Sequence, residues 1–342
     1  MSRTRFFQYT LFIVLLSSCN SNRWDVDVSA VNLSLDAHRF DHDVLEICSK
    51  NQPTAYQKVF QSYGEFADTY FTFILQLGET ADSATLATFC DIMHTDSLLI
   101  KTQQAIDAVH DNETDHYRSQ LEDAFRHYRF HFPEERSPEL IFMNGWFNYA
   151  VVPSDSVLAI GLEFFLGPDH PITQLLPPEN FPRYFRAKMR PDYVVTDAMR
   201  GWIMVKHQGL MQQGKFINEL IWYGKMMVVL DACMPEVADS LKIGYSANEL
   251  AWCKESETSI WKEMARQDVM FQSNQIENNK WFADGPFTRV GNVPQDSPSR
   301  LGLWMGWQIV RDYMNKNPEV TLQQLLEESN SQHILKYYDP RD

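Results

Sequence analysis

Four stretches of this sequence combine residue types and spacings that could do chemistry. Gly209-Leu-Met-Gln-Gln-Gly214-Lys215-Phe216 has the spacing of a phosphate-binding loop, whose backbone N–H groups cradle phosphates while a Ser or Thr holds magnesium. Phe216 stands at the magnesium position, and residues 195 to 206 read as helix where such a loop needs a strand. The two glycines are therefore read as a turn between helices. Gly244-Tyr-Ser246-Ala-Asn248 imitates the elbow that presents a nucleophilic serine but lacks its last glycine. Ser246 and Glu249 instead make the Ser-x-x-Glu of a helix capping box. His127 with His131, and His38 with His42, have the i, i+4 spacing that could place two imidazoles on one zinc ion. Neither pair has a third ligand nearby, so both are expected to be solvated histidines near element ends. Gly302 and Gly306 interrupt the helical run LGLWMGWQIV at a cost of about 1 kcal/mol each, which predicts close packing on that face.

The elements that would carry these residues divide the chain unevenly. The polar stretch that follows Cys19, to about residue 30, reads as a tether, and a short strand is expected around Val31 to Phe40. From Thr54 to about Phe132 apolar residues recur every three to four positions (Val59, Tyr63, Phe66, Tyr70, Phe73), which predicts several helices. Ile141 to Leu166 contains apolar runs that read as buried, paired strands. Pro168, Pro171, Pro177, Pro178 and Pro182 mark an ordered loop or a lid. Helices return beyond it, with caps expected at Ser246, at Ser297 ahead of Pro298, and at Thr321 with Gln324. The fold class is therefore α+β and predominantly helical, with a small sheet.

The hydrophobic content of 44% over 342 residues is enough for a large core, and the net charge of −15 with scattered basic residues excludes a nucleic-acid surface. Arg3 and Arg5 precede an apolar run from Phe6 to Leu16, which ends in Leu16-Ser17-Ser18-Cys19. That is a secretory signal, and its end resembles a bacterial lipobox. Cleavage after residue 18 would leave Cys19 as an acylated first residue that holds the protein to a membrane. No other stretch reaches a transmembrane length. Cys48, Cys90, Cys233 and Cys253 remain in a compartment that permits disulfides; three full pairings are possible, spacing does not choose among them, and free thiols stay equally open.

IGLEFFLG (160–167), INELIWYGKMM (217–227), KIGYSANELAWC (242–253), ETSIW (257–261) and SPSRLGLWMGWQIVRDYM (297–314) together resemble the GldB family of gliding-motility lipoproteins of the Bacteroidota. The order of these stretches, the lipobox and the chain length agree with it, with small departures such as Glu163 where Asp is expected. The resemblance implies a signal peptide over 1–18, a tether over 19–30 and a single domain over 31–342. Within that domain, 31–135 would be a mostly helical lobe and 136–342 a degenerate zincin-like core. The family is in turn similar to proposed zinc peptidases of the gluzincin type. In those, HExxH supplies two ligands and a general base, and a Glu-Gly pair on a following helix supplies the third ligand.

By that similarity the Glu-Gly pair falls at Tyr223-Gly224 and HExxH at Thr196-Asp197-Ala198-Met199-Arg200, or in another register at Asn218 to Trp222. Neither register contains a histidine, and arginine cannot give up its proton to bind a cation. The resemblance thus implies a metal-free, cofactor-free pseudoenzyme in the cell envelope, facing the periplasm. It would serve gliding and type 9 secretion by binding and stabilising other motility lipoproteins. A hydrolase with displaced ligands and a glycan- or peptide-binding module, suggested by nine tryptophans, are the alternatives. Thr196, Asp197, Arg200, Tyr223 and Gly224 mark the degenerate metal positions; Glu163, Lys225, Arg300, Gly302, Trp307 and Arg311 are candidates for an interaction surface or for structure. Asp197, Arg200 and Tyr223 are expected to meet across an antiparallel helix pair in close contact at Gly224.

Overall fold

The computed structural model describes residues 22–50, 53–79 and 83–341, so the signal segment and Cys19 lie outside the described residues. Four strands form one mixed sheet: β1 (Ala37–Arg39), β2 (Glu139–Met143), β3 (Val151–Pro153) and β4 (Val157–Gly161), in the order β1-β2-β4-β3. β2 pairs in parallel with both β1 and β4, and β3 runs antiparallel to β4. The apolar runs of β2 and β4 show no polar alternation because both faces of the sheet are covered. Ile141, Met143 and Ala159 point into a core with Phe40, Tyr70, Phe71 and Phe89. Leu140, Phe142, Leu158 and Ile160 point into a larger core on the other side.

The smaller core is built by the helices Phe40–Lys50, Pro53–Tyr63 and Ser83–Thr95, tied by a Cys48–Cys90 disulfide. Cys233 and Cys253 are free and buried. The larger core surrounds the helix Phe216–Cys233, of which nearly every residue is buried, as expected for a helix apolar on all sides. The helices Thr114–His131, Val194–Lys206 and Leu301–Lys316 pack around it. Because Leu121, Phe125 and Tyr128 join this second core, a boundary near residue 135 does not follow the packing; the sheet divides the two layers. Among the described residues no helix is long and apolar enough to cross a membrane.

Several local expectations change. The strand expected over Val31–Phe40 shrinks to Ala37–Arg39, and the chain leaves β4 at Gly161, so Leu162–Phe165 is a 3-10 turn. The segment expected as a tether lies against the body from Asn22 onward. The Arg23 guanidinium donates to the carbonyls of Pro318 (3.2 Å), Val320 (3.1 Å) and Met314, and Trp24 is buried edge-on to His131. The proline-rich connector is a packed wall, with Pro171 opening a short helix and Ile172, Leu176 and Met189 buried. Pro298 does not open the last long helix: its carbonyl accepts from Thr288 N and Oγ1, and the helix starts at Leu301 after Arg300. Both capping boxes, Ser246 with Glu249 and Thr321 with Gln324, form as expected. Residues 208–210 are a 3-10 turn between two helices, which leaves the 209–216 stretch without the strand that a phosphate loop requires.

Candidate functional site

Four separate segments bring charged side chains to one cleft of about 200 Å3, the fourth with Asp284. The proline-rich connector supplies Phe185, Lys188 and Met189, the helix Val194–Lys206 supplies Asp197 and Arg200, and the turn before the last long helix supplies Arg300. Asp284 and Gly244 complete the polar side, while Ala150, Phe164, Phe165 and Tyr193 complete an apolar wall. Stretches 160–167, 242–253 and 297–314, far apart in the chain, therefore converge here.

Each charge is held in place. Arg200 Nη2 donates to Asp197 Oδ1 one turn back (2.5 Å), and Nη1 donates to the Lys242 carbonyl (2.7 Å). Arg300 Nη2 donates to the Ile243 carbonyl at 2.7 Å. Gly244 (φ 71°) is left-handed and closes the short helix Asp239–Ile243; a Cβ there would stand 3.4 Å from Arg300 Nη2. Arg300 itself is left-handed (φ 60°, ψ 35°), a conformation that costs a non-glycine residue about 1 kcal/mol or more. Lys188 Nζ and Ser299 Oγ both donate to Asp284 Oδ1, at 2.6 and 2.9 Å. Arg300 Nε, 3.7 Å from the same oxygen, has no hydrogen-bond partner among the described residues. Burial, then the neighbouring Arg300, push the Lys188 ammonium below its ordinary value. Burial works to raise Asp284, but Arg300 and Lys188 outweigh it and hold the carboxyl below the usual range.

The remaining sequence candidates lie elsewhere. Thr196 is buried, with its hydroxyl on the Tyr193 carbonyl (3.3 Å). Tyr223 stacks on Phe282 at 4.8 Å between ring centroids and meets Trp222, so it turns to a different set of partners from Arg200. Gly224 makes its close contact with Gly306 of the helix Leu301–Lys316, not with the helix of Asp197 and Arg200. Gly302 faces the Phe282 ring. Trp307 is fully buried and presents no surface: its indole donates to Asp231 Oδ2 (2.8 Å), and the Arg311 guanidinium sits 3.8 Å over its ring. Arg311 also forks onto both Asp231 (2.7 Å twice) and Asp239 (2.8 Å twice), and Lys242 Nζ reaches Asp231 at 3.0 Å. This buried network joins three helices, and its bonds are all internal. Lys225 caps the end of another helix through the Glu328 carbonyl (2.6 Å), and burial lowers its ammonium to about 8.

Glu163 lies below the cleft, at the carboxyl ends of β2 and β4. It is fully buried, and its Oε1 accepts from Gly145 N (2.8 Å) and Phe147 N (3.1 Å), while Oε2 has no partner among the described residues. Burial raises the carboxyl to about 8; the two N–H donors oppose this and nearby Asp41 adds to it. His127 and His131 are not solvated: His127 is buried, and burial lowers His131 to about 4 as it packs on Trp24. Among the described residues, Asp41, His42 and Asp107 group their donor atoms closely enough for a cation, but Arg39 already bonds all three. Sequence reading missed Lys188, Asp284 and Asp231. Only Asp231 carried a local signal, as a lone acid in the apolar run MMVVLDAC; Lys188 and Asp284 sit 96 residues apart.

The chain matches the family described as gliding motility protein GldB over residues 21–340. It belongs to that family. Neither the curated proteins nor the solved structures contain a match to it. Family membership assigns the chain to gliding motility, and three of the five stretches that carried the GldB resemblance meet at the cleft.

Proposed function

We propose that this chain is an envelope lipoprotein, acylated at Cys19 and facing the periplasm, that serves gliding motility and its type 9 secretion machinery by binding and stabilising other motility lipoproteins. It acts as a pseudoenzyme on a degenerate zincin-like core. The observation that carries this proposal is the charge of the cleft. Among the residues that line it, Lys188, Arg200 and Arg300 outnumber Asp197 and Asp284, in a protein whose net charge is −15. A zinc site needs neutral or anionic donors, whereas a surplus cation repels metal and attracts anions. Arg200 stands at a position that a histidine would occupy in a peptidase of this type, and its bonds to Asp197 and Lys242 are spent on structure.

Asn20 and Ser21 alone separate Cys19 from the docked Asn22, and three residue steps span at most about 11 Å. The lipid therefore holds the body close to the bilayer, without a long stalk. A peptide- or glycan-binding module is the second reading, favoured by the aromatic wall of Phe164, Phe165, Phe185 and Tyr193. The primary test is a deletion strain, which should lose colony spreading and contain less of at least one other motility lipoprotein. Complementation with Cys19→Ala should yield a protein that takes up no labelled fatty acid. Normal spreading with normal lipoprotein levels in the deletion strain would refute the proposal, and stoichiometric zinc with peptidase activity in the purified protein would replace it with the hydrolase.

A further inference from the structure

We infer that the cleft takes a carboxylate monoanion carried on an apolar body the size of one amino-acid residue, either the carboxyl-terminal residue of a peptide or a free acid. This deepens the proposed binding role by naming what the site recognises. Two features of the lining set the ligand class. Among the residues that line the cleft the cations exceed the carboxylates by one, so a single negative charge balances the lining, with Glu249 acting on Lys188 from outside it. A phosphate dianion would overshoot and meet Asp197 and Asp284 at close range, where burial weakens solvent screening. The rest of the wall, Ala150, Phe164, Phe165, Phe185 and Met189, offers carbon surface and aromatic rings but no further charge.

The positions of the donors agree with this class. Arg300 Nε has no hydrogen-bond partner among the described residues and lies 3.7 Å from Asp284 Oδ1, so a small shift of the side chain would let an incoming oxygen satisfy this donor. Lys188 is three-quarters buried, and its ammonium is depressed in part by Arg300, so a nearby anion would relieve that repulsion. A volume of about 200 Å3 equals roughly seven waters of liquid, which is room for about one residue inside the cleft, whose mouth is open to solvent.

The test is calorimetric titration of the purified mature chain with N-acetyl-phenylalanine, N-acetyl-phenylalanine amide, inorganic phosphate and a capped tripeptide ending in phenylalanine. The acid should bind at least tenfold more tightly than its amide, weaken as salt is raised, and resist competition by phosphate. A stronger tripeptide assigns the natural ligand to a chain end; an excluded tripeptide assigns it to a free acid. Lys188→Gln should weaken the acid at least fivefold. Ala150→Leu, which fills the cavity without touching a charge, should abolish binding while circular dichroism and the melting temperature stay native. Equal binding of acid and amide, binding of neither the acid nor the tripeptide at 10 mM, phosphate binding as tightly as the acid, or native-like binding by a folded Ala150→Leu chain would each overturn the inference. Cell spreading tests the motility role and titration tests the ligand, so the two fail separately.

Discussion

Replacing Gly224 by alanine puts a methyl group where two helices touch backbone to backbone. A Cβ on Gly224 would lie 2.5 Å from the Gly306 carbonyl carbon, 2.6 Å from Val310 Cγ2, and inside contact of the Gly306 oxygen. A Cβ on Gly306 would likewise press on the Leu220 carbonyl, 3.1 Å from its carbon. Neither neighbour is the loose end of a side chain, so relief requires the helices Phe216–Cys233 and Leu301–Lys316 to separate by close to 1 Å. A gap of that size forfeits a quarter to a half of each dispersion contact along the seam. Overpacking of this kind costs about 3 kcal/mol at the upper end of its usual range, and the better helix propensity of alanine returns about 1 kcal/mol. Gly224→Ala should therefore lose about 2 kcal/mol in urea unfolding followed by tryptophan fluorescence. Gly306→Ala should lose a similar amount, and the double variant clearly less than the two together, since one separation relieves both clashes. Gly209→Ala, which has nothing within 4 Å, is the control and should stay within about 0.5 kcal/mol of the parent. A neutral Gly224→Ala, or a strictly additive pair, would refute the backbone contact.

Three further outcomes follow from buried groups. Asp231→Ala strands the Lys242 ammonium and removes one of the two carboxylates on Arg311, so unfolding should become easier by about 3 to 5 kcal/mol, against about 1 for the more exposed Asp239→Ala; equal losses would contradict the network. Removing the Cys48–Cys90 bridge by Cys48→Ser with Cys90→Ser should cost about 4 kcal/mol for a sequence separation of 42 residues, read as a fall in the denaturation midpoint that reductant reproduces in the parent chain. Glu163 has a folded value of about 8 against an ordinary 4.5, so the folded chain binds the extra proton between these values. Its contribution is complete below pH 4.5 and is lost as pH rises through 8, with a slope of up to about 1.4 kcal/mol per unit. Glu163→Gln keeps the acceptor for Gly145 and Phe147 and removes this slope, so the stability difference between parent and variant should shift in favour of the variant from pH 5 to pH 8; a constant difference would show that Glu163 does not titrate there.

The capping boxes at Ser246 and Thr321, the helical periodicity after Thr54 and the apolar strands near residues 140 and 160 were legible because each signal is complete within a few residues. The same local rules misjudged Pro298, where a bond from Thr288 holds the chain in a turn, and His127 and His131, which look like surface residues until Trp24 and the core close over them. GldB membership was legible too, since it rests on ordered short stretches and not on their contacts.

The amino-acid sequence by itself determined most of the helices and the two central strands, which family they compose, and that Asp197, Arg200 and Arg300 were residues to watch. Only the tertiary structure decided that these three share a cleft with Lys188 and Asp284, that Gly224 faces Gly306, and that β2 runs parallel to both its neighbours. Dihedral preference, capping and periodicity act between neighbours along the chain, so they can be read in order. Charge pairing, close backbone contact and strand register arise between segments tens of residues apart, and they are fixed only when burial of both faces of the sheet forces those segments together.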